Sequence, residues 1–234
     1  MPYLAIQNYG GMFSALFQGL QMTLLLFFVT LLISIPLGLL VAVGRMSDKS
    51  RFVSITAGRY RHPKMFLRWF ITGYISIMRG TPLMLQLMFV YFAPYYVFGA
   101  SYSRLTAAII AFGINYAAYF AEIFRGGIQS ISVGQYEAGY VLGFSKVQTF
   151  FIVILPQVFK RILPSLANEV ITLVKDTSLA QVIAVVEMFR VAHTFATASS
   201  SIIPFFIAGV FYYVMNYVAA FSFDMIEKKM SYYK

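Results

Sequence analysis

The chain has no cysteine, two histidines, one tryptophan and only eight acidic residues among 234. Without thiols there is neither a disulfide framework nor a thiolate metal site, and cysteine usage leaves the redox compartment open. His62 and His193 are too isolated in the sequence to suggest a metal site or a triad, and no HExxH zinc pair occurs. The dipeptide Gly-Lys is absent, which excludes the GxxxxGK[ST] loop that cradles nucleotide phosphates. A GxSxG elbow and a TVGYG carbonyl filter are also missing. If the protein uses ATP, another subunit binds it. Charge is scarce as well: Asp, Glu, Lys and Arg make up 11% of the chain, against about 25% in an average soluble domain.

Hydrophobic residues, by contrast, make up 60%, with 24 Phe and 17 Tyr, a composition suited to a bilayer core and its interfacial belts. This is the profile of an all-α integral membrane protein with no separate soluble domain, so residues 1–234 form a single transmembrane domain. A helix crossing a core of about 30 Å needs about 20 residues. Apolar runs predict five spans, near 12–43, 80–98, 104–125, 160–186 and 202–224. The first eleven residues carry no Lys or Arg, and the run from Met12 to Val43 is too long for a signal h-region, so it is expected to be a retained span.

Five spans place the termini on opposite sides, and the cations say which. Arg45, Lys49, Arg51, Arg59, Arg61, Lys64 and Arg68 fill the first connection against Asp48 alone, so that loop is cytoplasmic. The second connection has no charge before Arg104. The third contains Arg125 and Lys146 and leads to Lys160 and Arg161, and the tail EKKMSYYK is basic. The N-terminus is therefore outside and the C-terminus cytoplasmic. The net charge of +10 is mainly topological, although a basic loop can also bind anionic lipid headgroups, and it gives no sign of nucleic-acid binding. The segment FLRWFITGYISIMRG predicts a short helix near the cytoplasmic surface with Trp69 at headgroup depth. Pro82 suits the first turn of the next helix, and Pro156 and Pro164 predict a bent or broken start to the fourth span.

Charges inside spans cost about 2.5–3.5 kcal/mol each on insertion scales, so Glu122, Glu169, Lys175 and Asp176 carry information. Glu169 and Asp176 are two helical turns apart, with Thr172 between them on the same face. Counting about 1.5 Å per residue from Pro164 puts Asp176 roughly 18 Å into the bilayer. One reading is a polar, acidic lining for an amino-bearing substrate. The other is a bundle-locking set in which Lys175 neutralises a carboxylate, since buried charges are usually paired. Asn115, Tyr116, Tyr119 and Glu122 form a second polar stripe at spacings of three and four.

Between the third and fourth spans, QYEAGYVLGFSKVQTFFIVILP breaks the apolar pattern. Glu137, Ala138 and Gly139 are followed after three residues by Gly143, and after nine more by Val153, one residue, Leu155 and Pro156. This resembles the EAA loop of binding-protein-dependent ABC importers, with Gly139 for the second Ala and Val153 for Ile. RGTPLMLQL (79–87), NYAAYFAEIFRGGIQSI (115–131) and NEVITLVKDTSL (168–179) are similar to segments of the polar amino-acid uptake branch. The resemblance implies a type I ABC importer permease core of five helices (MetI-like), in a bacterial cytoplasmic (inner) membrane.

It further implies two ABC ATPase subunits docking on a cytoplasmic coupling helix near 133–147, a second permease subunit, identical or paralogous, and an extracytoplasmic amino-acid-binding protein. No cofactor is expected in this chain, because ATP and Mg would sit on the ATPases. The coupling residues are Gln135, Tyr136, Glu137, Ala138, Gly139 and Gly143, with small side chains admitting the partner's groove. The candidate substrate path comprises Glu169, Thr172 and Asp176 with Asn115, Glu122 and Gln86. The alternative is an ion-coupled secondary amino-acid transporter using Glu122, Glu169 and Asp176 as relays. Such proteins usually show inverted repeats, and no internal repeat is visible here. An integral-membrane enzyme lacks any convergent nucleophile or metal set.

Overall fold

A computed structural model describes residues 9–46 and 64–230. The greater part of the basic first connection, the N-terminal eight residues and the last four lie outside the described residues. Every described element is helical. In chain order these are α1 (Tyr9–Met46), α2 (Lys64–Gly80), α3 (Leu83–Phe98), α4 (Arg104–Ser130) and α5 (Val133–Val141). They are followed by α6 (Lys146–Ile183), α7 (Met188–Ser199) and α8 (Ile203–Met230).

Four of these, α1, α4, α6 and α8, are long and apolar enough to cross a membrane, and α2 with α3 makes a fifth span if the pair is counted as one. The interruption between them follows from Pro82, whose extended backbone (φ −61°, ψ 133°) stops α2 and starts α3, with the Pro82 carbonyl accepting from the Leu85 and Gln86 amides. α3 alone has 16 residues, about 24 Å at 1.5 Å per residue, so it is short of a full crossing.

The described residues group into two compact units. The first gathers the chain up to Leu32, Thr81–Gly113 and Glu169–Ser222; the second gathers Ile33–Gly80, Ile114–Asn168 and Phe223 onward. Among the described residues the first unit carries only Arg104, Lys175 and Arg190 as Lys or Arg. Arg45, Arg68, Arg79, Arg125, Lys146, Lys160, Arg161, Lys228 and Lys229 all belong to the second. By the positive-inside bias the second unit is the cytoplasmic end.

In the first unit the core is Met12 and Leu16 of α1 with Met188, Val191 and Ala192 of α7 and Ala208 of α8. Gly19 allows α1 this close: a Cβ there would lie 2.8 Å from Met188 Cα and 3.0 Å from its nitrogen. The Thr23 hydroxyl donates to the Gly19 carbonyl (3.0 Å) and accepts from the Met188 amide (3.2 Å), so the start of α7 is fixed to α1 by a buried hydrogen bond. α3 packs on the 3₁₀ turn Thr177–Ile183 that ends α6.

In the second unit α4 is the central element. Its buried residues Tyr116, Ala117, Phe120 and Ala121 lie here, and Gly38 of α1 sits 2.8 Å, as an imagined Cβ, from Phe120 Cβ. Two hydrogen bonds tie α2 to α4: Tyr74 Oη donates to the Ile114 carbonyl (2.5 Å), and Asn115 Nδ2 donates to that of Met78 (3.1 Å). α2 is amphipathic, burying Ile71 and Ile75 while exposing Phe66, Trp69 and Phe70, as a surface-lying helix requires. Gly127 of α4 faces Ile162 and Val158 of α6 with no room for a side chain.

The fourth span differs from expectation at its start. α6 is continuous from Lys146, and both Pro156 and Pro164 lie within helix. A π turn over Thr149–Ile154 precedes Pro156, so the hydrogen-bond ladder widens just before the residue that has no N–H to offer. His193 lies on α7, between the fourth and fifth spans, with its ring against Phe205 (6.1 Å).

Candidate functional site

The segment 133–157 is built to hold one short helix rigidly against the start of a long one. α5 covers nine residues and ends where Gly143 adopts a left-handed conformation (φ 74°), its amide bonding the Tyr140 carbonyl at 3.0 Å. Ser145 then restarts the helix. Its hydroxyl accepts from the Gln148 amide and the Gln148 side chain accepts from the Ser145 amide (2.8 Å), a reciprocal cap.

The back of α5 is fixed at three points. Tyr136 and Gly139 are buried. A Cβ on Gly139 would lie 2.5 Å from Thr149 Cγ2 and 2.7 Å from Oγ1, so only glycine lets α5 rest on the π turn of α6. Gln157 Nε2 donates to Gln135 Oε1 (2.9 Å) while also donating to its own helix at the Val153 carbonyl (2.8 Å). Nearby, the Arg161 guanidinium donates to the Ser130 carbonyl just before α5.

The front of α5 is open. Glu137, Ala138, Tyr140, Val141 and Leu142 are all exposed, Tyr140 and Val141 at 75% and 82%. This short helix therefore presents Tyr, Val and Leu beside one carboxylate on its open face, while its back is held against the start of α6. The residue-level reading changes with this geometry. Ala138 and Glu137 are exposed; Gly139 is small for packing against Thr149, whereas Gly143 is exposed with nothing within 4 Å of an imagined Cβ, and its left-handed backbone also favours glycine. The helix itself spans 133–141, not 133–147.

The second set of candidates divides between the two units. Glu169, Thr172 and Asp176 lie along α6 in the first unit, Glu169 and Asp176 partly buried and Thr172 exposed. Asp176 is the last residue before the helix tightens to 3₁₀. Gln86, also in this unit, donates to the Thr81 hydroxyl (2.8 Å) and carbonyl (3.1 Å), which caps the break before α3.

Asn115 and Glu122 belong to the second unit. Asn115 is held by the Met78 carbonyl. Glu122 sits among three guanidiniums: it ion-pairs with Arg45, takes a two-pronged hydrogen bond from Arg125 (Nε at 3.1 Å, Nη2 at 2.6 Å) and has Arg79 at 3.8 Å. Arg79 also lies over the Tyr119 ring, 5.3 Å from its centre. Tyr116 is core.

One residue escaped the sequence reading. Glu187 is fully buried and caps α7: its two oxygens accept from the Phe189 and Arg190 amides (both 2.7 Å), and one also accepts from the Tyr212 hydroxyl (3.0 Å). The preceding turn is closed by Ala184 in the left-handed region (φ 59°). Glu is not among the strongly preferred N-caps, so start-signal rules pass over VVEMFR; the available sign was an acid directly before an apolar helical run.

Residues 51–232 match the family described as binding-protein-dependent transport system inner membrane component. The chain is 34% identical over 214 residues to the arginine transport system permease protein ArtQ of Bacillus subtilis, covering 91% of both proteins. It is 35% identical over 217 residues to the L-cystine transport system permease protein TcyB of the same organism, covering 92% of this chain and 86% of that one. Among solved structures, the crystal structure of an amino acid ABC transporter with histidines matches with a TM-score of 0.80 at 31% identity, over 97% of this chain and 98% of that chain.

Proposed function

Because the chain belongs to the family of binding-protein-dependent transport system inner membrane components, we propose that it is the membrane-spanning subunit of an ATP-driven importer of a polar amino acid. The substrate class is supported by relatives named for arginine and L-cystine and by a solved relative described as an amino acid transporter. The amino acid arrives on an extracytoplasmic binding protein, and the assembly resides in a bacterial cytoplasmic membrane. This subunit catalyses no reaction: two ATPase subunits bind ATP with Mg and hydrolyse it, and a second permease, identical or paralogous, completes the assembly. The sequence of this chain lacks the Gly-Lys of a phosphate loop, which is consistent with nucleotide bound elsewhere.

The observation that carries the proposal is α5, exposed in front and locked behind. An ATPase that grips Glu137, Ala138, Tyr140 and Val141 moves α5. The Gln135–Gln157 bond and the Gly139–Thr149 contact oblige the start of α6 to move with it. α6 continues to Glu169, Thr172 and Asp176, the candidates for the substrate path, where carboxylates suit the amino group that all amino acids share. Asn115, Glu122 and Gln86 complete the candidate path. All three already bond to neighbours, so in this scheme they set its shape.

The test uses the complete transporter in proteoliposomes. Ala138→Trp and Glu137→Lys alter only the exposed face of α5, and each is expected to abolish substrate-stimulated ATP hydrolysis while the permease still inserts and assembles. Stimulation unchanged in both variants overturns the coupling role. Ala138 is the better target than Gly143, because a side chain at φ 74° would strain the backbone whatever the partner does.

A further inference from the structure

Around Glu122 the second unit holds more cationic charge than shaping the candidate path requires. Arg45 at the end of α1, Arg79 at the end of α2 and Arg125 on α4 converge on a single carboxylate, Glu122. Among the described residues, three cations face one anion here, a net charge of +2. Arg68 also acts electrostatically on Arg45, together with Arg125 and Arg79. One carboxylate offers about four lone-pair sites to the fifteen N–H groups of three guanidiniums. Of the three, Arg79 has the loosest tie to Glu122, at 3.8 Å, and the most exposed side chain, at 45%.

The helix that brings Arg79 to the cluster carries a second signal. Phe66, Trp69, Phe70 and Ile77 recur at helical spacing along α2 and all are exposed, Phe66 and Trp69 by 75% and 73%. Arg68 and Arg79 are eleven residues apart, about three turns, so they share a face between this aromatic stripe and the buried Ile71 and Ile75. An amphipathic helix with an aromatic face and a cationic flank, at the cytoplasmic end of an integral membrane protein, lies in the zone where lipid phosphates lie. Guanidinium forks match phosphate oxygens in pairs, and a cation excess at this depth attracts anionic and not zwitterionic lipid.

We propose that the arginine cluster around Glu122 is a binding site for the phosphodiester headgroup of an anionic phospholipid of the cytoplasmic leaflet, with Arg79 as its principal contact. Glu122 keeps the guanidiniums together in the absence of lipid and sets the residual charge that the headgroup neutralises. The site faces lipid and is separate from the exposed face of α5.

The test is a thermal-unfolding titration of the complete transporter in neutral detergent, with dioleoyl-phosphatidylglycerol, dioleoyl-phosphatidylcholine or sodium phosphate as the additive. Phosphatidylglycerol is expected to raise the unfolding temperature saturably, and the other two are expected to raise it little. Arg79→Gln is expected to weaken half-saturation by about fivefold, Arg79→Lys by less, and Lys229→Gln, a cation at the far end of α8, not at all. If Arg79→Gln does not assemble, Arg68→Gln, which leaves all three Glu122 contacts in place, carries the same comparison, and native mass spectrometry counts the retained lipid. Equal stabilisation by phosphatidylcholine, full stabilisation by inorganic phosphate alone, no effect of phosphatidylglycerol, or an unchanged half-saturation in the arginine variant each overturns the proposal.

Discussion

Replacing Gly139 by alanine sets two known effects against each other at the joint between α5 and α6. Helix propensity favours alanine by up to about 1 kcal/mol. Against this, the new Cβ would lie 2.5 Å from Cγ2, 2.7 Å from Oγ1 and 3.1 Å from Cβ of Thr149, a buried side chain. Turning χ1 of Thr149 does not clear the space. Both γ atoms now point at Gly139, and with two of three staggered positions always filled, any rotamer leaves one of them there. Overpacking costs about 1–3 kcal/mol, and two contacts under 3.0 Å on a buried side chain put this site at about 2–3 kcal/mol, so after the propensity gain the net loss for Gly139→Ala is about 1–2 kcal/mol. For a chain of this size that lowers the unfolding temperature by about 2–8 °C.

Thr149→Ala removes both γ atoms, so the double variant should recover most of the loss, with a coupling energy of about 1 kcal/mol or more in a double-mutant cycle. Thermal unfolding of the four proteins in one detergent gives the answer. If Gly139→Ala is at least as stable as the parent, or the double variant is no more stable than the single, then α5 does not rest on the π turn and the proposed lever loses its fulcrum.

The remaining expectations concern the other unit and the candidate path. Gly19→Ala drives a Cβ against Met188 backbone, which cannot rotate away, and should destabilise by about 1–3 kcal/mol; Gly73→Ala, where nothing lies within 4 Å, should be neutral or stabilise by up to about 1 kcal/mol. Thermal unfolding that ranks these two equally would contradict the packing described for α1 and α7. Glu187→Ala leaves two amides and the Tyr212 hydroxyl without their acceptor and should cost about 3 kcal/mol or more, whereas Tyr212→Phe should cost about 1 kcal/mol. Similar melting of Glu187→Ala and the parent would remove Glu187 from its capping role. Asp176→Asn should change substrate affinity or choice in transport assays, and uptake indistinguishable from the parent would make Asp176 a bundle-locking residue.

The parts of this molecule legible in its sequence are those set by long-range averages. Apolar runs gave α1, α4, α6 and α8, and the Thr81-Pro82 pair marked the break before α3. The spacing from Glu137 to Pro156 marked the segment proposed for docking, since its charged and small residues interrupt an otherwise lipid-like pattern. What was not legible depends on contacts between distant segments. Gly139 reads as a weak point in a helix until Thr149 is seen behind it. Pro156 reads as a break until the π turn before it is seen. Glu122 read as a lining carboxylate because two of the three arginines that hold it, Arg45 of α1 and Arg79 of α2, come from segments far from it in sequence, and only Arg125 is a near neighbour on α4. Glu187 read as nothing, because its cap and its Tyr212 partner exist only once α7 and α8 have packed.

As proposed, this chain moves its substrate only when ATPases push on it. Uptake of radiolabelled arginine, cystine or another polar amino acid into proteoliposomes addresses this directly, with the permease alone or joined by its ATPases and binding protein, each with and without ATP and under imposed proton or sodium gradients. Uptake is expected only in the complete, ATP-supplied system, independent of either gradient. Accumulation by the permease alone, driven by an ion gradient, would contradict it.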